Sequence, residues 1–438
     1  METFIKVLQL IVSLSLLVAI HEFGHFIVAR IFKIRVEKFY IFFDPWFSLF
    51  KFRRGDTEYG IGWIPFGGYV KIAGMIDESL DTEQMKLPPK PDEFRAKPAW
   101  QRFLVMIAGV VMNLVLAFCI YCGISYAWGS AYLANEDVRW GYVYSEAAHG
   151  MGFEDGDRIV AIDGHEIDNV SEILNLLVMS DDDRTVEVVR DGQQHSFTIP
   201  YDLLLEMRNE QQFDGFYTPR IPMLVGEVVA DTAREAGLCE GDVILAVDGQ
   251  ESWAAADIYG MIQSHAGQVV TLGIDRGGEL LQLEAPVSDE GKIGFTIGTL
   301  PLRTQKYTFW QSIPAGARLT GKVISSYWQQ LKLIVKPKTQ MYKHLGGFIA
   351  IGSIFPAHWD WQQFWYTTAF LSIILAIMNI LPIPALDGGH ALFTFWEMIT
   401  RRRPSEKVLE VAQYIGLFIL LLLLIYANGN DIYRFFIK

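Results

Sequence analysis

His21-Glu22-Phe23-Gly24-His25 spells His-Glu-x-x-His. On a helix, residues four apart share a face, so His21 and His25 are spaced to grip one metal ion. Glu22 stands beside them, where a carboxylate can serve as general base toward a water. A catalytic zinc takes three protein ligands and keeps one open position, so a third ligand must come from elsewhere. Leu386-Asp387-Gly388-Gly389-His390 offers two candidates, Asp387 and His390. Its glycines permit a tight backbone, and Pro382 and Pro384 just before it stop any regular helix, so that a carboxylate can turn inward. In a soluble helix the His-Glu-x-x-His spacing is often only a polar face. Here it falls in a long apolar run, where three ionisable groups are costly unless they are engaged.

The segments that must position these groups are membrane spans. The chain has 438 residues, 51% of them hydrophobic. A span needs about 20 apolar residues. Four runs qualify, at about Phe4–Phe32, Phe103–Trp128, Phe364–Leu381 and Val411–Tyr426. The first is longer than the roughly 7–15 residues of a signal-peptide core and lacks a small-residue cleavage site, so it reads as a retained transmembrane helix.

Charge orders these spans. Residues 131–300 carry 32 Asp/Glu against 9 Lys/Arg, whereas the rest of the chain carries 18 against 28. Twelve Lys/Arg lie in residues 33–102, and Arg401-Arg402-Arg403 lies between the last two spans. Basic loops stay cytoplasmic, which places the acidic block and both termini outside. The net charge of −13 argues against a nucleic-acid partner. Cys119, Cys122 and Cys239 make no disulfide framework, and the Cys-x-x-Cys pair lies in an apolar run where it reads as helix packing.

Between the first two spans, Val36–Phe43 and Glu58–Ile64, separated by the turn signal Lys51–Asp56, predict a membrane-associated β-hairpin followed by Pro65-Phe66-Gly67-Gly68-Tyr69-Val70. Residues 76–98, with Pro88-Pro89-Lys90-Pro91, read as a linker. In the acidic block, Gly152–Gly164 aligns with Gly237–Gly249 at an offset of 85 residues, and Val189-Arg190-Asp191-Gly192 aligns with Ile274-Asp275-Arg276-Gly277. Repeats of this length are duplicated domains. The pattern Gly-Leu-x-x-Gly-Asp-x-Ile-x-x-x-Asp-Gly resembles bacterial PDZ domains, modules that bind an extended peptide by strand addition. Trp310–Ile334 has helical amphipathic spacing suited to a headgroup layer, and the glycine-rich His344–Ile354 is either close-packed or re-entrant.

Taken together and in order, His21–His25, Gly67-Gly68-Tyr69-Val70-Lys71, the paired modules and Asn379-x-x-Pro382-x-Pro384-x-Leu386-Asp387-Gly388-Gly389 resemble the site-2 protease family of intramembrane zinc metalloproteases, in its bacterial RseP-type branch. The resemblance implies one catalytic Zn2+ held by His21, His25 and Asp387, with Glu22 as base. It also implies substrate contacts at Asn379, Pro382, Pro384, Gly67, Gly68 and Tyr69. The expected substrates are single-span membrane proteins such as anti-sigma factors or remnant signal peptides, cut within the lipid bilayer of the bacterial inner membrane. Two departures from the family pattern are Val110 after Ala108-Gly109, and Phe348 after Gly346-Gly347.

The expected fold is an α-helical membrane protein with four transmembrane helices, a membrane-associated β-hairpin and two extracytoplasmic PDZ (α+β) domains. Its expected boundaries are 1–34 (first span), 35–102 (hairpin and linker), 103–130 (second span), 131–218 and 219–304 (PDZ modules), 305–362 (membrane-surface segment) and 363–438 (last two spans). Two competing readings are a membrane scaffold displaying PDZ modules to peptide ligands, and a membrane-anchored metalloprotease acting in quality control on bonds outside the bilayer.

Overall fold

The computed structural model describes residues 2–75, 88–210, 215–300 and 302–437. The chain divides into two compact units, Met1–Gly129 with Lys306–Lys438, and Ser130–Gln305.

In the first unit, helix α1 spans Glu2–Ile31, is predominantly apolar with no single polar face, and ends before Lys33, which turns left-handed (φ 55°). That pattern suits lipid rather than a water-facing surface. After Pro98, helix α2 runs Ala99–Trp128 and stops at Gly129 (φ 72°). Helix α3, Phe309–Val335, is amphipathic and packs its small face, Ala315 and Gly316, against α2, with Gly316 touching Cys122. The glycine-rich segment forms a short helix α4, Phe348–Ser353, followed by α5, Trp361–Ile380, which Asp360 caps at the Gln363 amide. Helix α6, Asp387–Thr400, was not foreseen. Its first residue is the candidate ligand. Helix α7 covers Glu406–Ile432. Four of these helices, α1, α2, α5 and α7, are long and apolar enough to cross a membrane.

The sheet beside α1 corrects the expected hairpin. It has four strands, β1 Val36–Phe43, β2 Phe50–Arg54, β3 Thr57–Ile61 and β4 Ile64–Ile72, in the order β2-β3-β1-β4. The segment read as one long turn, Lys51–Asp56, holds a strand of its own, and the tight turn at Gly55 (φ 63°) joins β2 to β3. The two expected strands therefore run parallel, Phe39 opposite Tyr59, and β1 pairs antiparallel with β4 instead. Every residue of β2 is exposed, so the sequence carried no burial pattern to mark it. Phe26 of α1 binds the sheet through Phe39 and Tyr59, with ring centroids 5.3 and 5.9 Å away. Of the linker expected at 76–98, residues 76–87 lie outside the described chain. Within the remainder, the buried Arg95 pairs with the buried Glu93 at 2.7 Å.

In the second unit the two aligned segments lie in separate sheets with related strand orders. The first copy orders strands 193–199, 184–190, 158–162 and 165–166, with 142–144 paired to 217–219. The second orders 279–286, 269–276, 243–247, 223–228 and 295–297, with 250–251 beside 243–247. Each copy has its own core, around Ile159, Val186 and Val188 in one and around Ile244, Leu272 and Ile274 in the other. Asp163 and Asp248 take matching left-handed turns (φ 51° and 50°). Asp157 and Asp242, both buried, each bond an arginine on the next long strand at 2.7 Å, Arg190 and Arg276 respectively.

Burial alone would raise the Asp242 carboxyl, but hydrogen bonds from Arg276 and the Cys239 amide outweigh it and hold the group below the ordinary carboxylate range. A folded-state value below the unfolded one stabilises at pH above the unfolded value, near 3.9, and that stabilisation is lost as pH falls below it. Asp242→Asn should therefore speed amide exchange in residues 219–304 about tenfold at pH 6. The gap to the wild type, compared at equal pH, should begin to narrow as pH falls below about 4 and keep narrowing toward the lower folded-state value. A gap as wide at pH 3 as at pH 6 would refute this.

Candidate metal and catalytic centre

One helical turn brings His21 and His25 to the same buried side of α1. Their Nε2 atoms lie 3.2 Å apart. Asp387, leading α6 out of the proline-broken turn, places Oδ2 2.9 Å from His21 Nε2 and 3.3 Å from His25 Nε2. Yet this buried oxygen makes no well-aligned hydrogen bond. Among the described residues these three form the one group of His, Cys, Asp or Glu whose donor atoms converge closely enough to share a metal ion.

The remaining ring atoms fix which nitrogens are available. His25 Nδ1 donates to the Val105 carbonyl at 2.8 Å. A carbonyl only accepts, so Nδ1 carries the proton and the neutral ring turns a lone pair on Nε2 inward. His21 Nδ1 lies 3.2 Å from the Asn113 amide nitrogen, while Asn113 Oδ1 is buried without a partner. Turning that amide over satisfies both groups. Oδ1 then accepts from Nδ1–H, and His21 Nε2 also faces inward as a lone pair. Two lone pairs and a carboxylate oxygen facing one another repel unless a cation lies between them. Bonds of about 2.0–2.1 Å to a tetrahedral ion require donors about 3.3–3.4 Å apart. The observed separations of 2.9–3.3 Å are at or just below that, so the three donors need to open by no more than about half an ångström to take zinc.

Close backbone approach makes the site possible. A Cβ on Gly109 of α2 would sit 2.5 Å from His25 Nε2 and 2.7 Å from His21 Nε2. A Cβ on Gly416 of α7 would overlap the Pro384 carbonyl at 1.5 Å, so α7 backs directly onto the turn that aims Asp387. Sequence reading did not select Gly109 or Asn113 as functional residues. Their spacing of four along α2 puts both on the face toward the histidines, but no local signal said which neighbour that face would meet.

A cavity of about 500 Å³ opens beside the three ligands, lined by Glu22, His25, Asp387, His390 and the β4 residues Gly68–Ile72. Tyr69 lines it as expected. Its hydroxyl donates to Asp44 at 2.9 Å, and burial together with that acceptor pushes its pKa upward. Gly67 (φ 86°) lies against Phe43 rather than in the lining. Asn379 Nδ2 is 3.3 Å from His21 Nε2. Pro382 and Pro384 shape the turn, while Ala385 and Leu386 supply its cavity surface. His390, the other ligand candidate, lines the cavity without joining the converging group.

The model of Peptidase family M50 matches residues 9–423. The chain belongs to that family. It is 31% identical to a protein of Xylella fastidiosa (strain 9a5c) provisionally named a zinc metalloprotease, over 98% of this chain and 99% of that one. It is 30% identical to the regulator of sigma-E protease RseP of Salmonella typhimurium (strain 14028s / SGSC 2262), over 97% of each, and 29% identical to the regulator of sigma E protease of Haemophilus influenzae (strain ATCC 51907 / DSM 11121 / KW20 / Rd), over 97% of this chain. As a family M50 member with four span-length helices, the chain is an integral membrane zinc metalloprotease.

Removing a group that orients a metal-bound histidine costs roughly 10–100-fold in metal affinity. Asn113→Leu should weaken zinc by that range in chelator competition, whereas Asn113→Asp, which keeps an oxygen facing His21, should retain most of it. Gly109→Ala should leave purified protein with well under one zinc by elemental analysis. Full zinc occupancy in Gly109→Ala would show that α2 does not closely confine the ligands.

Proposed function

We propose that this metalloprotease cuts the membrane-spanning segment of single-span proteins in the bacterial inner membrane, as in regulated intramembrane proteolysis. One observation carries the reading: the cluster takes His21 and His25 from a helix of membrane-crossing length and Asp387 from the turn that follows another, and it borders a cavity also lined by β4. A helical substrate hides its amide bonds, so it must be drawn out into a strand, and a sheet edge can hold a strand by backbone pairing.

In this reading His21, His25 and Asp387 hold Zn2+, which when bound polarises the scissile carbonyl and acidifies the attacking water. Glu22 takes the proton from that water and returns it to the leaving nitrogen. Gly68 and Tyr69 face the unwound substrate, Gly67 shapes their approach, and Asn379 offers its amide beside His21. Pro382 and Pro384 act by fixing the turn under Asp387. The basic loops stand on the cytoplasmic side, and the two repeats act outside as PDZ modules that take up peptide ends or exclude bulky external domains. The relatives named as sigma-E regulators favour anti-sigma-type substrates.

Glu22→Gln should keep one zinc per chain and reduce cleavage of a tagged single-span substrate by at least about a thousandfold, since the base is lost while the ligands stay. Mass spectrometry of the wild-type products should place the cut inside the apolar span. A cut in an external loop would favour the quality-control reading instead. Deleting residues 131–300 should raise cleavage of substrates that retain a large external domain. Unchanged cleavage would remove the exclusion role.

A further inference from the structure

Glu22 does not point idly at the cavity. Its Oε2 accepts a hydrogen bond from the backbone amide of Val70 at 3.1 Å. Val70 sits opposite Phe39 in the β1–β4 ladder, and its N–H is turned away from β1. Side alternates with every residue along a strand. Gly68 therefore turns its N–H and C=O the same way, along the edge of β4 that pairs with no further strand among the described residues and that lines the cavity. An incoming strand must pair with these same groups. The carboxylate of the general base and the backbone of the substrate compete for one amide.

We propose that substrate docking and release of the base are one event: a substrate carbonyl takes the Val70 N–H, and Glu22, displaced from it, swings to the attacking water. This rests on the reading above, in which Glu22 is the base and the substrate adds as a strand to β4. With no substrate the carboxylate is tethered two residues along the edge from Gly68. A neutral carbonyl holds the amide less well than the carboxylate it replaces, so the additional pairing at Gly68 decides the balance. Only a segment extended over both residues frees the base. A helix or a single stray carbonyl leaves Glu22 held. The device ties hydrolysis to correct register, and it asks of a substrate that it unwind next to the sheet rather than carry a particular side chain.

The test uses the full-length, zinc-loaded protein in nanodiscs and residue-resolved amide exchange at Val70 in wild type, Glu22→Gln and Glu22→Ala. Without substrate, Val70 should exchange slowest in the wild type. It should be about tenfold faster in Glu22→Ala, with Glu22→Gln between, because a neutral acceptor holds the amide less well than a charged one. A synthetic apolar single-span peptide of about 20 residues should then protect Val70 in both variants. It should bind Glu22→Ala several-fold more tightly than Glu22→Gln, since the competitor is gone.

Equal Val70 exchange in wild type and Glu22→Ala overturns the proposal, as does peptide binding that is no tighter in Glu22→Ala or that leaves Val70 unprotected. Glu22→Gln tests the same point if Glu22→Ala proves unstable. Failure of the underlying reading looks different: Glu22→Gln would still cleave, or the peptide would not bind any form of the protein.

Discussion

A carboxylate and two imidazoles are set against one another among helices whose outer surfaces are made for lipid, and that clustering shapes the rest of the membrane unit. Isolated, each group would be expensive at such depth. Brought within 3.3 Å of one another with their lone pairs inward, they become affordable only around a cation. The helices answer that demand. Helix α1 supplies the histidine pair, α2 brings Gly109 against them and orients their outer nitrogens through Val105 and Asn113, and the turn after α5 delivers Asp387. Helix α7 closes the arrangement from behind, with Gly416 pressed on the Pro384 carbonyl.

The sheet is the second consequence. A protease acting on helical segments needs a surface that competes for backbone hydrogen bonds, and an edge strand has unspent ones by construction. Here β4 is kept at the edge because β1 and β3 run parallel and β2 and β3 occupy the far side. The aromatic contacts of Phe26 with Phe39 and Tyr59 fasten the sheet to α1, so that strand and histidines share one rigid support. The site is placed on packed elements, and the cavity between them brings Glu22 and the edge of β4 together.

The duplicated unit follows a different logic. Each copy repeats the same buried Asp–Arg pair and the same left-handed Asp turn, in a core that is separate from its sibling's. Both segments keep this pair and this turn, with the aspartates of each at the same offset of 85 residues. The unit's acidic charge contrasts with the basic loops of the membrane unit, the sequence trait from which an orientation across a bilayer is proposed.

Much of this was legible in the sequence. The spans follow from hydrophobic length, the repeat from its glycine and aspartate spacing, and His21 with His25 from a period of four on one helix, because each is a local property of consecutive residues. Four things needed the tertiary structure. They are the strand β2 hidden inside a supposed turn, the parallel pairing of β1 with β3, the helix that begins at Asp387, and the roles of Asn113, Gly109 and the Val70 amide. Exposed strands leave no burial period to read. A backbone amide has no sequence signature at all. A glycine 88 positions from a histidine becomes a site residue only when two helices meet. The residues fixed which chemistry was available, and the packing of helices far apart in the chain decided where that chemistry converges, since long-range contacts depend on whole surfaces rather than on neighbours in sequence.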